Sequence, residues 1–105
     1  PVAIMDAEWI TGRRTAAASA LAAKYFMKPG ASTLAILGCG LQGRVHLEAI
    51  RSVMPALQRV RVFDIRREAA EAFARQMGED RLLCRHTLNP RLFSAAMLAA
   101  MPSER

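Results

Sequence analysis

Three closely spaced glycines and a downstream acid are the residues best suited to chemistry in this sequence. Gly38, Gly40 and Gly43 follow a short apolar run, and a segment of helical pattern comes after them. Such a turn can hold phosphates, because the first amides of a helix lack intrahelical partners and the helix dipole favours negative charge. Asp64 lies 21 residues after Gly43, at the end of the next apolar run. A carboxylate there can accept hydrogen bonds from ribose hydroxyls, so the spacing predicts a dinucleotide site.

The three glycines have different expected roles. Gly38 allows the chain to reverse tightly at the end of a strand, Gly40 lets a pyrophosphate approach the backbone, and Gly43 lets the helix pack closely on the strand. An ordinary strand-to-helix turn explains the glycines alone equally well. The full order of strand, turn, helix, strand and acid favours a cofactor.

Asp64 also bears on which cofactor is bound. A carboxylate at this position repels a 2′-phosphate, so it favours NAD over NADP. Arg66 and Arg67 follow closely and could offset part of that preference. The alternative for Asp64 is an exposed or helix-capping carboxylate.

The first thirty residues should lead into this unit. Val2 to Met5 predicts a short buried strand, and Asp6 to Trp9 a polar turn. Thr11 is the expected N-cap of a helix from Gly12 to about Lys28, ended by Pro29-Gly30. One face of that helix carries Ala17, Ala18, Leu21, Tyr25 and Lys28.

The remaining pattern alternates strands and helices. It predicts strands at 33–37 and 59–64, helices at 41–54 and 66–77, a third strand at 82–86 and a helix from Asn89 to about Met101. The fold class is therefore α/β: a partial Rossmann-like dinucleotide-binding unit, βαβ with flanking helices and an incomplete parallel sheet. A right-handed crossover should join the first two strands. We divide the chain into a leading segment (1–30), a βαβα core (31–80) and a diverged or truncated tail (81–105).

Composition limits the function further. The net charge is +6, and the basic residues are scattered along the chain, which favours solvated helix faces over a nucleic-acid surface. Two cysteines without a secretory signal suggest a reducing, cytoplasmic setting. No run is long enough for a membrane span. A zinc site from Cys39, His46, Cys84 and His86 is formally possible but lacks the usual ligand spacing, so we expect no metal.

Two stretches together resemble the ornithine cyclodeaminase/mu-crystallin family. One runs from Ile4 through Thr11 into Arg14-Thr15-Ala16-Ala17-Ala18-Ser19-Ala20, and the other is Gly38-Cys39-Gly40-Leu41-Gln42-Gly43. The resemblance covers about residues 2–79. Ala7 stands where the family usually has glycine, which affects only a turn.

The resemblance implies roles for individual residues. Arg14 matches the arginine that grips the substrate α-carboxylate, and Thr15 matches the threonine beside the cofactor phosphates. Leu41 and Gln42 match positions at the pyrophosphate, with Gly38, Gly40 and Gly43 forming the turn. Asp64 matches the acid on the ribose.

The resemblance also implies an activity. Family members are NAD(P)-dependent ornithine cyclodeaminases, alanine dehydrogenases and ketimine reductases, which act on small amino or imino acids by hydride transfer through an imine, and they form dimers. The family's substrate lysine would precede Pro1 and its catalytic aspartate would follow Arg105, so no catalytic residue is expected in this chain. The tail after residue 80 does not resemble the family's next segment.

Two other interpretations of the whole chain stay open. It could be a catalytically inactive nucleotide- or ligand-binding module. It could also be a remnant or interaction protein that uses the helix after Asn89. Titration with NAD separates the enzyme and the binding module, which both predict saturable binding, from the interaction protein, which does not.

Overall fold

The computed structural model describes residues 1–78 and 83–87, and these residues form alternating helices and strands. The elements in chain order are α1 (Ala7–Phe26), β1 (Thr33–Leu37), α2 (Leu41–Val53), β2 (Arg59–Phe63), α3 (Arg67–Met77) and β3 (Leu83–His86). All six correspond to predicted elements, and their ends agree to within two residues except at the start of α1, which was predicted at Gly12. The helix predicted after Asn89 lies outside the described residues. No helix within those residues is long and apolar enough to cross a membrane.

The three strands form one parallel sheet in the order β1-β2-β3. Thr33 pairs in register with Arg59, and Arg59 with Leu83. Parallel neighbours need a crossover connection, which α2 provides between β1 and β2, and α3 between β2 and β3. The α/β class and the βαβ unit are therefore confirmed.

The core lies between one face of the sheet and helices α2 and α3. Val60 and Val62 of β2 are fully buried, as are Leu47 of α2 and Phe73 of α3. Ile36 of β1 completes the same cluster. Alternate residues of a strand point to opposite faces, so the valines of β2 face this core and its arginines do not.

The start of the chain differs from the prediction. Residues 2–5 are exposed and form no strand, since no strand of the described sheet pairs with them. Helix α1 begins at Ala7, with Asp6 rather than Thr11 as its N-cap. The Asp6 carboxylate accepts hydrogen bonds from the amides of Glu8 (2.9 Å) and Trp9 (3.4 Å). Asp is at least as good a cap as Thr, and the earlier cap gains an extra helical turn.

Helix α1 packs on α2 through its smallest residues. Gly12, Ala16 and Ala20 are buried, four residues apart, so they share one face. A Cβ at Gly12 would lie 3.6 Å from a methyl of Val45 in α2, which shows how closely the helices approach. The larger face that carries Leu21 and Tyr25 is instead exposed, at 56% and 71%. The small residues form the contact because they allow the axes of the two helices to approach closely.

An ion pair stands beside the α1–α2 contact. Arg13 Nη1 lies 2.7 Å from Glu48 Oε2. Both side chains are about half exposed, so the ion pair adds little to the stability of the fold.

Helix α1 ends at Phe26, two residues before the predicted Lys28, with Met27 as its C-cap.

The α1–α2 contact can be tested by enlarging one alanine. We expect Ala16→Leu to lower the free energy of unfolding by about 1–3 kcal/mol, because the added methyls overpack a closed helix contact. Ala17→Leu, one residue further along on the exposed side, should change it by less than about 0.5 kcal/mol. Urea unfolding followed by circular dichroism measures both. Equal effects of the two variants would contradict the assigned face.

Candidate functional site

The glycine turn begins where β1 ends. Gly38 has φ of 98°, a left-handed conformation that a side chain rarely adopts. Its amide donates a hydrogen bond of 2.8 Å to the carbonyl of Phe63, the last residue of β2. The β1–β2 ladder therefore continues into the turn, which fixes where the chain reverses.

Gly43 lies in the first turn of α2, directly over Gly38. A Cβ at Gly43 would overlap the carbonyl oxygen of Gly38 and would lie 3.4 Å from Ile36 Cγ2. Backbone atoms cannot move aside as a flexible side chain can. Only glycine at this position lets α2 start so close to the strand end.

Gly40 is the N-cap of α2 and is glycine for a different reason. Its φ of −84° and ψ of −163° suit any residue, and a Cβ there would meet no atom of the described residues within 4 Å. No side chain caps this helix end, and Arg44 N to Gly40 O is its first internal hydrogen bond. The amides of Leu41, Gln42 and Gly43 consequently have no intrahelical acceptor. The space in front of Gly40 is open to a ligand.

Asp64 reaches this turn from the end of β2. Its Oδ2 accepts a hydrogen bond from the Cys39 amide and its Oδ1 accepts one from the Arg66 amide, each at 2.9 Å. The carboxylate is only 14% exposed, and Arg66 Nε lies 3.9 Å from Oδ1. The hydrogen bond from Cys39, then that from Arg66, holds the pKa of Asp64 below its ordinary value. The acid is therefore ionised beside the glycine turn.

A shallow cleft of about 290 Å³ lies beside the turn. Its lining comprises Cys39, Gly40, Leu41, Arg44, Arg66, Ala69 and Ala72. The two guanidinium groups make this cleft favourable for a phosphate, since an arginine presents its donors in a planar fork. The backbone of the glycine turn and two arginines therefore border this cleft, and Asp64 adjoins it through its hydrogen bonds to the amides of Cys39 and Arg66.

Arg14 and Thr15 lie on α1, away from this cluster. The Thr15 hydroxyl donates a hydrogen bond of 2.8 Å to the carbonyl of Thr11 in its own helix. Arg14 is exposed and lies two residues after Gly12, which places it on the face of α1 opposite the α2 contact. Within the described residues no hydrogen bond or ion pair joins either residue to the glycine turn. Their substrate and phosphate roles stay predictions.

The roles of the Cys39 amide and of Arg44 at this site were not predicted from the sequence. Cys39 is the middle residue of the Gly-x-Gly pair, so its amide had to fall in the turn, and it is this amide that binds Asp64. Its thiol is buried 3.7 Å from the carbonyl of Phe63, and burial raises its pKa. Arg44 lines the cleft from the first turn of α2. Its position directly after Gly43, four residues after Gly40, was the available signal.

The cysteines and histidines considered for zinc do not gather into a site. Among residues 1–78 and 83–87, no group of three or more potential ligands is placed to hold a metal ion. Cys39 and Cys84 are both free thiols. The His86 imidazole instead lies 3.7 Å from the carboxylate of Glu71.

Comparison with known proteins assigns the class of this glycine-turn unit. The model of the ornithine cyclodeaminase/mu-crystallin family matches residues 1–84. The chain belongs to that family.

Several curated relatives agree. The chain is 41% identical over 73 residues to an alanine dehydrogenase of Archaeoglobus fulgidus, covering 70% of this chain and 22% of the relative. It is 42% identical over 73 residues to an L-lysine cyclodeaminase of Streptomyces rapamycinicus (70% and 21%). It is 40% identical over 83 residues to the ketimine reductase mu-crystallin of Rattus norvegicus (79% and 26%). The chain thus spans about a quarter of the length of these relatives.

Solved structures show the same fold. An archaeal alanine dehydrogenase dimer with bound NAD superposes with a TM-score of 0.76 at 34% identity, covering 83% of this chain and 27% of that one. The Δ1-pyrroline-2-carboxylate reductase of Thermococcus litoralis, in complex with NADH and L-proline, gives 0.81 at 31% identity (88% and 28%). The α/β nucleotide-domain prediction is confirmed, and NAD or NADH is the cofactor present in these neighbours.

The two glycines of the turn should respond differently to substitution. Gly43→Ala should lower the free energy of unfolding by about 1–3 kcal/mol, because its Cβ overlaps the Gly38 carbonyl. Gly40→Thr should stay within about 0.5 kcal/mol of wild type, since threonine and glycine are comparable N-caps and the site is open. Chemical denaturation measures both. A Gly40→Thr chain as unstable as Gly43→Ala would show that the turn is closed.

The lowered pKa of Asp64 predicts a pH dependence. A carboxylate whose folded pKa lies below its unfolded value of 3.8 stabilises the fold above that pH, and the contribution is lost as pH falls through the folded pKa. Asp64→Asn should therefore be less stable than wild type at neutral pH, and the difference should shrink below about pH 3.8. Thermal unfolding across pH follows this. A difference that is constant with pH would mean that the charge of Asp64 is irrelevant.

Proposed function

We propose that this chain binds the ADP portion of NAD at the glycine turn. The observation that carries the proposal is the hydrogen bond from the Cys39 amide to Asp64, because it brings a ribose-binding acid onto the phosphate-binding turn. The open space at Gly40 and the free amides that follow it supply the second half of the site. The residues present therefore fit the cofactor.

Each part of the nucleotide has a suitable partner. The amides of Leu41 and Gln42 would hold the pyrophosphate, and Arg44 and Arg66, which line the cleft beside the turn, would balance its charge. An ionised carboxylate has about four lone-pair positions, of which backbone amides use two at Asp64. The remaining positions would accept hydrogen bonds from the ribose hydroxyls. The same negative charge disfavours a 2′-phosphate, so NAD is preferred over NADP.

At the level of the whole protein, we infer an NAD-dependent enzyme of small amino or imino acids. Bound NAD accepts or donates the hydride. This chain contributes the residues that orient the cofactor, and Arg14 is the proposed partner of a substrate carboxylate, with Thr15 near the phosphates. Support comes from the relatives, whose names cover an amino-acid dehydrogenase, a cyclodeaminase and a ketimine reductase. A cytoplasmic location and a homodimer of the parent protein belong to the same proposal.

A second candidate is an NAD-binding module without catalysis. Asp64 is the one carboxylate that contacts the turn in the described residues, and its lowered pKa keeps it ionised at neutral pH rather than ready to donate a proton. The site as described is thus equipped to bind but not to move protons.

Calorimetric titration of the 105-residue chain with NAD tests the proposal. We expect saturable binding at one site, and Asp64→Ala should weaken it about ten- to hundredfold through the loss of charge-assisted hydrogen bonds. Gly40→Thr should weaken it as strongly, because its side chain fills the approach to the phosphates. In Asp64→Ala the preference for NAD over NADP should narrow.

Glu68→Ala is the matched control, since it removes an exposed carboxylate from the start of α3 and leaves the glycine turn unchanged. Circular dichroism should show that every variant stays folded. Absence of saturable binding, or equal binding by Asp64→Ala and Glu68→Ala, would reject the site. Formation of reduced nicotinamide from added amino acids would favour the enzyme over the binding module.

A further inference from the structure

The sheet face turned away from the core carries a group of arginines. In β2, Arg59 and Arg61 alternate with the buried valines, and both are exposed. Arg61 pairs in register with Arg85 of β3, so their side chains start from neighbouring strands on one face. Strand spacing puts their backbones about 4.8 Å apart, and Arg59 and Arg61 are about 6.6 Å apart along β2. We call Arg59, Arg61 and Arg85 the arginine face.

The residues around the arginine face leave it open. Beside it, β1 presents only the short side chains of Thr33 and Ala35, paired with Arg59 and Arg61. A cavity of about 370 Å³ lies here, and its lining comprises Arg59, Arg61, Leu83, Arg85, His86 and Thr87. The arginines therefore border a concave space rather than a flat surface.

Nothing in the described residues neutralises these charges. None of the three arginines forms an ion pair with a carboxylate of residues 1–78 or 83–87. The nearby acid Glu71 is on α3, against the opposite face of the sheet, where it pairs with Arg67 at 2.8 Å and His86 at 3.7 Å. Like charges directly opposite each other on neighbouring strands are destabilising. An anion bound between these arginines would relieve that repulsion.

The sequence of β2 also argues against a helix covering this face. Parallel strands that are buried on both faces consist of nearly continuous apolar residues. In β2 the order Arg-Val-Arg-Val-Phe is apolar on one face and cationic on the other. An apolar helix packed on Arg59 and Arg61 would bury unpaired charges at high cost.

We propose that the arginine face binds a small polyanion, a ligand with two or more phosphate or carboxylate groups about 5–7 Å apart. Guanidinium groups bind such oxyanions through paired hydrogen bonds. The site is distinct from the glycine turn, because Arg59 begins β2 whereas the turn follows the carboxyl end of β1. It does not depend on the proposed NAD binding.

Tripolyphosphate, titrated into the 105-residue chain at fixed ionic strength, is the first probe. We expect saturable binding at one site, weakened at least tenfold by Arg61→Gln and by Arg85→Gln. Arg61→Lys should recover part of it, since lysine keeps the charge but not the fork. Arg75→Gln is the control, because it removes an exposed arginine of α3 outside this face. Amide chemical shifts should move at β2 and β3.

Tripolyphosphate could also bind at the glycine turn, and Gly40→Thr separates the two sites. Binding that Gly40→Thr abolishes and Arg61→Gln leaves unchanged would overturn the proposal. If Arg61→Gln and Arg75→Gln weaken tripolyphosphate binding equally, the binding is non-specific charge attraction, and the proposal is overturned as well. Citrate as a second probe distinguishes carboxylate from phosphate ligands. A glutamate-rich peptide that binds where neither small anion does would reject a small-molecule site.

Discussion

The whole arrangement depends on how closely helix α2 approaches the end of strand β1. At Gly43 no side-chain atom fits between the helix and the Gly38 carbonyl. That approach aims the first amides of α2 at the space beyond the strand and lays Leu47 on the core. A larger residue would push the helix outward, and both the core contact and the direction of the amides would change together. The packing of α2 and the direction of its free amides therefore both depend on the absence of a Cβ at Gly43.

Asp64 extends this constraint to the second strand. Its two hydrogen bonds connect the Cys39 amide to the Arg66 amide, so the turns after β1 and β2 hold each other in place. The carboxylate thus has a structural role before any ligand arrives. Because backbone donors already surround the acid, it is ionised and oriented in advance, which reduces the ordering that binding requires. A ribose would meet a group that is already fixed.

The sequence predicts this unit well because its signals are local and agree with one another. Glycines at 38, 40 and 43, an apolar strand on each side and Asp64 all specify one local geometry. The sequence is less informative where the outcome depends on neighbours. For α1 it groups Leu21 and Tyr25 on one face, but that face is exposed, and Gly12, Ala16 and Ala20 make the contact. Periodicity identifies a helix, but which face is buried depends on the partner helix, here the Val45 side of α2.

The two faces of the sheet also differ in a way that depends on neighbours. On β2, Val60 and Val62 enter the core while Arg59 and Arg61 do not, so a single strand contributes both to stability and to surface charge. Scattered arginines in a basic sequence suggest only solvated surface, because linear spacing does not show which strands become neighbours. Pairing of β2 with β3 places Arg61 beside Arg85 and turns scattered residues into a local concentration of charge. Such a concentration is a property of the fold, and an anion bound there would relieve the repulsion that the fold creates.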